Sequence, residues 1–218
     1  TAVETDIHYP TDSSLLVDGV RIITRLLIQG KRLRPTPAYR YTDHRRVAKK
    51  RALTILNDKR KGSRKRCYKD LLDIALQVDE EVGMPLMAHI DHPPPSYEEV
   101  VERLRPGDIL THAFRPFPNA PVTPQGRVKQ VVLAARERGV IFDIGHGKGS
   151  FAFRTARAML ANGFMPDTIS SDVHTLCING PAFDQVTTLS KFLCLGVSLP
   201  EVIRASTVNA AAALRRPE

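Results

Sequence analysis

Residues 85–114 read PLMAHIDHPPPSYEEVVERLRPGDILTHAF. Two short apolar runs, PLMAHI and DILTHAF, each carry a histidine near the C-terminal end, and one helix is expected between them. Ser96 and Glu99 form an S-x-x-E capping box, Val100, Val101 and Leu104 supply an apolar face, and Pro106-Gly107 stops the helix. A strand, a helix and a second strand in this order make a parallel pair. Polar groups at the C-terminal ends of such strands are where α/β barrels place their chemistry. His89 and His112 therefore stand at equivalent points of neighbouring strands. Strands about 4.8 Å apart bring two imidazoles close enough to share one metal ion.

The same rhythm continues downstream. After a proline-rich loop, RPFPNAPVTPQG, a helix carries Val128, Val131, Val132 and Ala135 and closes at Gly139. VIFDIG is a third strand, and a helix from about Ala152 to Asn162 ends at Gly163. TISSDVH is a fourth strand with Asp172 at its end. Ser198 and Glu201 open the last helix, again as S-x-x-E, with proline in its first turn. About 30 residues per unit suit a (β/α)8 barrel, of which four strands make half.

Upstream the character differs. Residues 1–78 hold 18 Lys and Arg against 8 Asp and Glu, a net of +10. Residues 79–218 hold 14 against 15, a net of −1. The expected division is a basic, mainly helical segment over 1–78 and an α/β segment over 79–218. In the basic segment Asp12 is a plausible N-cap, and Leu15, Leu16, Val20, Ile23 and Leu27 repeat at helical spacing. Val47, Leu53 and Leu56 mark a second helix, and Tyr68, Leu71, Leu72 and Ala75 a third, with KRKGSRKR between them. Lys59, Arg60, Lys61, Arg64, Lys65 and Arg66 are either a solvated charged face or a non-specific phosphate-contacting surface on DNA.

No apolar run approaches the ~18 residues of a membrane span, and no signal peptide is visible. The chain opens on Thr1, which reads as a fragment of something longer. Cys67, Cys177 and Cys194 form no C-x-x-C pair and read as reduced thiols of a cytoplasmic protein.

On chemistry, His89, His112 and Asp172 fall at strand ends, and imidazole with carboxylate on a rigid sheet suits zinc. His146 and His174 read as loop hydrogen-bonding groups, unless the resemblance given below makes them substrate contacts. His92 reads as solvent-exposed, and Asp143 as a structural hydrogen-bonding group.

Two resemblances follow from these residues. PLMAHI, GDILTHAF, GVIFDIGHGKGSF, PDTISSDVHT and TTLSKFLCLGVSLPEVIRASTVNAAAAL resemble, in order and spacing, the amidohydrolase superfamily, nearest its deacetylase and dihydroorotase-like metallohydrolases. The resemblance spans about 79–214. It implies strands 5–8 of a TIM-type barrel, two zinc ions in the intact site, and an acylated small-molecule substrate. His89 and His112 would be the strand-5 and strand-6 ligands. Asp172 would be the strand-8 ligand and the general acid/base. Gly145, His146, Gly147 and His174 would line the substrate pocket.

TDIHYPTDSSLLVDGVRIITRLL, HRRVAKKRALTILNDKRK and CYKDLL resemble the interior of a DDE-type insertion-sequence transposase, over 1–78. That family's catalytic carboxylates are not recognisable in this stretch. The two resemblances together imply a chimeric chain. It would lack barrel strands 1–4, with their H-x-H pair and bridging residue. At most one zinc would bind, activity would be doubtful, and exposed barrel edges would favour self-association.

Overall fold

The computed structural model describes residues 12–33, 41–57 and 61–216. The chain forms two units, residues 1–84 and 85–218. The compositional boundary at 78/79 falls inside a helix of the first unit.

The first unit contains helices α1 (Asp12–Leu33), α2 (Arg45–Asn57) and α3 (Lys61–Val82), each packed on the other two. Val20 and Thr24 of α1 meet a core of Ala48, Ala52, Ile55, Tyr68, Leu71, Leu72, Ala75 and Val78. The face of α2 differs from expectation: Val47 and Leu53 are exposed. Ala48, Ala52 and Ile55 lie at i, i+4 and i+7, so two alanines and one isoleucine form the stripe along which α2 packs. The basic run also differs from expectation. Lys61, Arg64, Lys65 and Arg66 lie on α3 rather than on a connection between helices, while Lys59 and Arg60 lie outside the described residues.

The second unit is α/β. Strands β1 (Met87–Ala88), β2 (Ile109–Leu110) and β3 (Ile141–Phe142) form a parallel sheet in the order β1-β2-β3. Helix α4 (Tyr97–Val101) connects β1 to β2, and its Ser96–Glu99 capping box is complete in both directions. Helix α5 (Gln130–Glu137) leads into β3, with Gly139 at φ +94° closing the turn. Val128, expected within that helix, instead pairs with Val122 across a turn inside the proline-rich connection. Four further helices follow: α6 (Phe153–Ala161), α7 (Gln185–Cys194), α8 (Leu199–Ser206) and α9 (Val208–Ala213). The Ser198–Glu201 box caps α8, and Asp184 caps α7.

The sequence predicts a fourth strand over 168–174. The structure has a single parallel bridge there, Asp143 to Thr168. The N–H groups of Ile144, His146 and Gly147 continue it by donating to the carbonyls of Thr168, Ser170 and Ser171. An extended segment thus lines the free side of β3.

Two buried or half-buried aspartates lock the starts of these strands. Asp108 accepts from the N–H of Leu86 at 2.8 Å, joining the approaches to β1 and β2. Asp167 accepts from the N–H of Phe142 at 2.8 Å, joining β3 to the fourth segment. Tyr97, Phe114, Phe142, Phe192, Leu104, Ile144 and Met159 are fully buried in this unit. Each large side chain contributes about 1.5–3 kcal/mol by leaving water. Among the described residues no helix is long and apolar enough to cross a membrane.

Candidate metal centre

His89 follows β1 directly, and the ladder continues past β2 to Thr111, whose N–H donates to the carbonyl of Ala88. By register His89 is therefore level with Thr111, not with His112. Alternation along a strand would turn His112 to the opposite face. The backbone corrects this: His112 sits at φ +62°, in the left-handed region, which re-aims its side chain. The two histidines meet through that turn and not through equivalent strand positions.

Their meeting is close. His112 Nε2 lies 3.0 Å from His89 Nδ1, with ring centroids 4.2 Å apart and planes at 85°. His112 is buried, and its Nδ1 lies 2.6 Å from the carbonyl oxygen of Gly145. That carbonyl can only accept, so Nδ1 carries the proton and Nε2 keeps its lone pair. The hydrogen bond between the rings then requires the proton on His89 Nδ1. Burial lowers the pKa of both imidazoles, that of His89 to about 3, with the neighbouring His112 adding to the effect. Both rings are neutral at ordinary pH.

This has a consequence for acid stability. An unfolded histidine takes up a proton near pH 6.5, whereas folded His89 refuses it until about pH 3. Between those values the unfolded chain binds more protons, so stability is lost as pH falls through the window. Urea unfolding followed from pH 7 to pH 4 should show this loss, and His89→Asn should flatten it. An acid limb unchanged in the variant would contradict the assignment.

Other groups converge on the pair. Gly145 lies at φ +46°, and a Cβ there would sit 2.2 Å from Thr111 Oγ1 and 2.8 Å from His112 Nδ1. Gly147, at φ +51°, brings its backbone against Asp172; a Cβ would lie 2.6 Å from Asp172 Oδ2. Asp172 is itself exposed and at φ +44°. Gly147→Ala should cost about 1–3 kcal/mol through the left-handed backbone, and should displace the Asp172 carboxylate. Chemical denaturation and the backbone amide shift of Asp172 measure the two effects.

His146 is buried, and both ring nitrogens are engaged. Nδ1 lies 2.9 Å from the carbonyl of Gly147, and Nε2 lies 2.7 Å from Lys191 Nζ. The ring stacks on Phe151. His174 is exposed, and its Nδ1 accepts from the N–H of Leu176 within a turn. His92 is exposed beside Asp91. Asp143 is buried and accepts from Thr111, Thr168 and Ser170, each at 2.7 Å. Cys67 and Cys177 are buried free thiols, and Cys194 is an exposed one.

Two functional neighbours escaped the sequence reading. Arg115 is 3% exposed and spans the loops that follow β1 and β2. Lys191 of α7 reaches His146 and the carbonyl of Pro181. Arg115 lies outside the quoted motifs, and Lys191 lies within TTLSKFLCLG without being marked by it; the fold brings them in.

Imidazole nitrogens are donors of the kind zinc takes when each offers a lone pair, as His112 Nε2 does and as His89 Nδ1 would once its proton moved to Nε2. Tetrahedral ligands about 2.05 Å from a zinc ion stand roughly 3.3 Å apart, close to the 3.0 Å seen here. The pair thus fits two corners of a metal site. Among the described residues no group of three or more His, Cys, Asp or Glu is placed to hold a metal. The expected set of His89, His112 and Asp172 is therefore not gathered as one three-ligand cluster.

No family model matches the chain. It is 36% identical over 139 residues to a deacetylase of Agrobacterium fabrum, covering 64% of this chain and 34% of that protein. It is 36% identical over 140 residues to a deacetylase of Enterococcus faecalis, covering 62% of this chain and 38% of that protein. Its fold is similar to a dihydroorotase (TM-score 0.60, 34% identity, 67% of this chain and 38% of the other). It is similar also to an adenine deaminase (TM-score 0.65, 28% identity, 75% of this chain and 52% of the other). The chain spans about a third of the length of the curated relatives it matches. The transposase resemblance of residues 1–78 gains no support from these proteins.

Proposed function

We propose that the unit 85–218 carries part of the active site of a metal-dependent hydrolase of the amidohydrolase superfamily. Its substrate would be an acylated small molecule, as the deacetylase relatives suggest. The observation that carries this reading is the neutral imidazole pair, Nδ1 against Nε2 at 3.0 Å. A zinc ion held there would supply Lewis-acid polarisation of an acyl carbonyl and a nucleophile at neutral pH.

The chain's own residues have definite tasks in this scheme. Gly145 holds the proton on His112 Nδ1, so Nε2 is ready as a donor atom without rearrangement. His89 must move its proton from Nδ1 to Nε2 before Nδ1 can serve. Asp172, beside the Gly145–Gly147 turn, is assigned the proton transfer between nucleophile and leaving group. In the proposed architecture the parallel strands are strands 5–8 of the barrel, and two donors alone leave the site incomplete.

The purified chain should therefore bind zinc weakly, at no more than one ion per molecule, and hydrolyse N-acetylated amino acids at no measurable rate. Metal analysis after dialysis and an acetate-release assay test this. Two tightly held ions, or turnover abolished by Asp172→Asn, would show a complete site and overturn the incomplete-site reading. Absence of zinc binding to the pair would overturn the metal reading itself.

A further inference from the structure

We infer that Arg115 is a positioning residue: it lashes the loop after β1 to the loop after β2 and so sets the distance between His89 and His112. This rests on the proposal that the pair holds a metal. Arg115 begins three residues after His112, and its N–H donates to the His112 carbonyl at 3.2 Å. Thr155 of α6 donates to the Arg115 carbonyl at 3.1 Å, anchoring the same backbone from the far side. From this fixed base the guanidinium crosses to the other loop. Nη1 donates to the carbonyl of Ile90, the residue after His89. Nη2 donates to Asp91 Oδ1 at 2.6 Å. Asn119 completes the fastening by donating to the carbonyls of Asp91 and Pro95 at 2.7 and 3.2 Å.

The side chain is a poor choice for packing alone. A buried guanidinium needs all its donors met, and Arg115 Nε is buried with no hydrogen-bond partner among the described residues. An apolar residue of similar volume would fill the space without that penalty. What only the planar fork supplies is two directed bonds to two acceptors on the opposite loop. Groups that orient metal ligands in this way typically change metal affinity 10–100-fold when removed.

The test uses the full chain and two readouts. In the metal-free protein, the His89 Nδ1 proton is followed by 1H–15N spectroscopy of the histidine rings. It should be protected from exchange in the wild type, and should exchange at least about tenfold faster in Arg115→Met. In the second readout, titration with Co2+ and its visible absorption should show 10–100-fold weaker binding in Arg115→Met, with partial recovery in Arg115→Lys. If Arg115→Met does not fold, Asp91→Ala removes one arm of the lash on the exposed side, and should speed ring-proton exchange about threefold. A folded Arg115→Met with unchanged exchange and unchanged Co2+ affinity overturns the inference, as does unchanged exchange in Asp91→Ala where that variant must stand in. A wild-type chain that binds no Co2+ refutes the metal reading instead, and the ring-proton exchange alone then judges Arg115.

Discussion

His89→Ala or His112→Ala should abolish zinc binding by the chain, with a loss of at least about 100-fold in affinity, while His92→Ala leaves it unchanged. The described residues bring two protein donors together, so the proposed site has no reserve: removing either leaves one imidazole, which holds zinc no better than any exposed histidine. His92 lies three residues from His89 in sequence, yet it is exposed and paired with Asp91. The two single variants should differ in their side effects. His112 is buried and bonded to Gly145, so its loss removes a hydrogen bond and leaves a cavity. His89 is half-buried, so His89→Ala should unfold less readily. Competition against a chromophoric chelator measures the affinities. Equal zinc binding by His89→Ala and the wild type would remove the pair from any metal role.

Local signals in the sequence translated directly into structure. The two S-x-x-E boxes cap α4 and α8 because a capping box is satisfied within four residues. Gly139 and Gly163 close helices with positive φ for the same reason. The apolar runs that carry the histidines form adjacent parallel strands, so the meeting of His89 and His112 was legible. How they meet was not. Pairing them as equivalent positions misses the one-residue offset, which is absorbed by a left-handed residue that no pattern announces. Long-range polar contacts were equally silent. Arg115 reaches Asp91 across 24 residues, and Lys191 reaches His146 across 45. Nothing in the local sequence of a lysine on α7 marks its partner. In α2 apolar size is a poor guide to the inner face: Val47 and Leu53 are exposed, whereas Ala48 and Ala52 are buried with Ile55.

The largest loss of stability in the α/β unit is expected from Asp143→Ala, about 3–5 kcal/mol. Asp143 follows β3, is 2% exposed, and has no Lys or Arg partner among the described ion pairs. Three hydroxyls meet its charge instead: Thr111 and Ser170 on Oδ2, and Thr168 on Oδ1. Thr111 belongs to the segment after β2, and Thr168 and Ser170 to the fourth segment. One carboxylate thus joins three neighbouring segments at the end of the sheet that carries the histidines. Alanine would strand three hydroxyls in a cavity, each costing about 1–3 kcal/mol if unsatisfied, less what rotation of the O–H groups recovers. Asp143→Asn separates the causes. Its amide oxygen still accepts on one side, while its NH2 group faces hydroxyls that must turn round to accept, so the loss should be about half as large. Thr111 also stands beside Gly145, whose carbonyl fixes the His112 tautomer. Loosening Asp143 should therefore weaken zinc binding as well as stability. Urea unfolding and zinc titration on the two variants measure both. Asp143→Ala with wild-type stability would mean that the three hydroxyls find other partners, and that the carboxylate does not hold the site together.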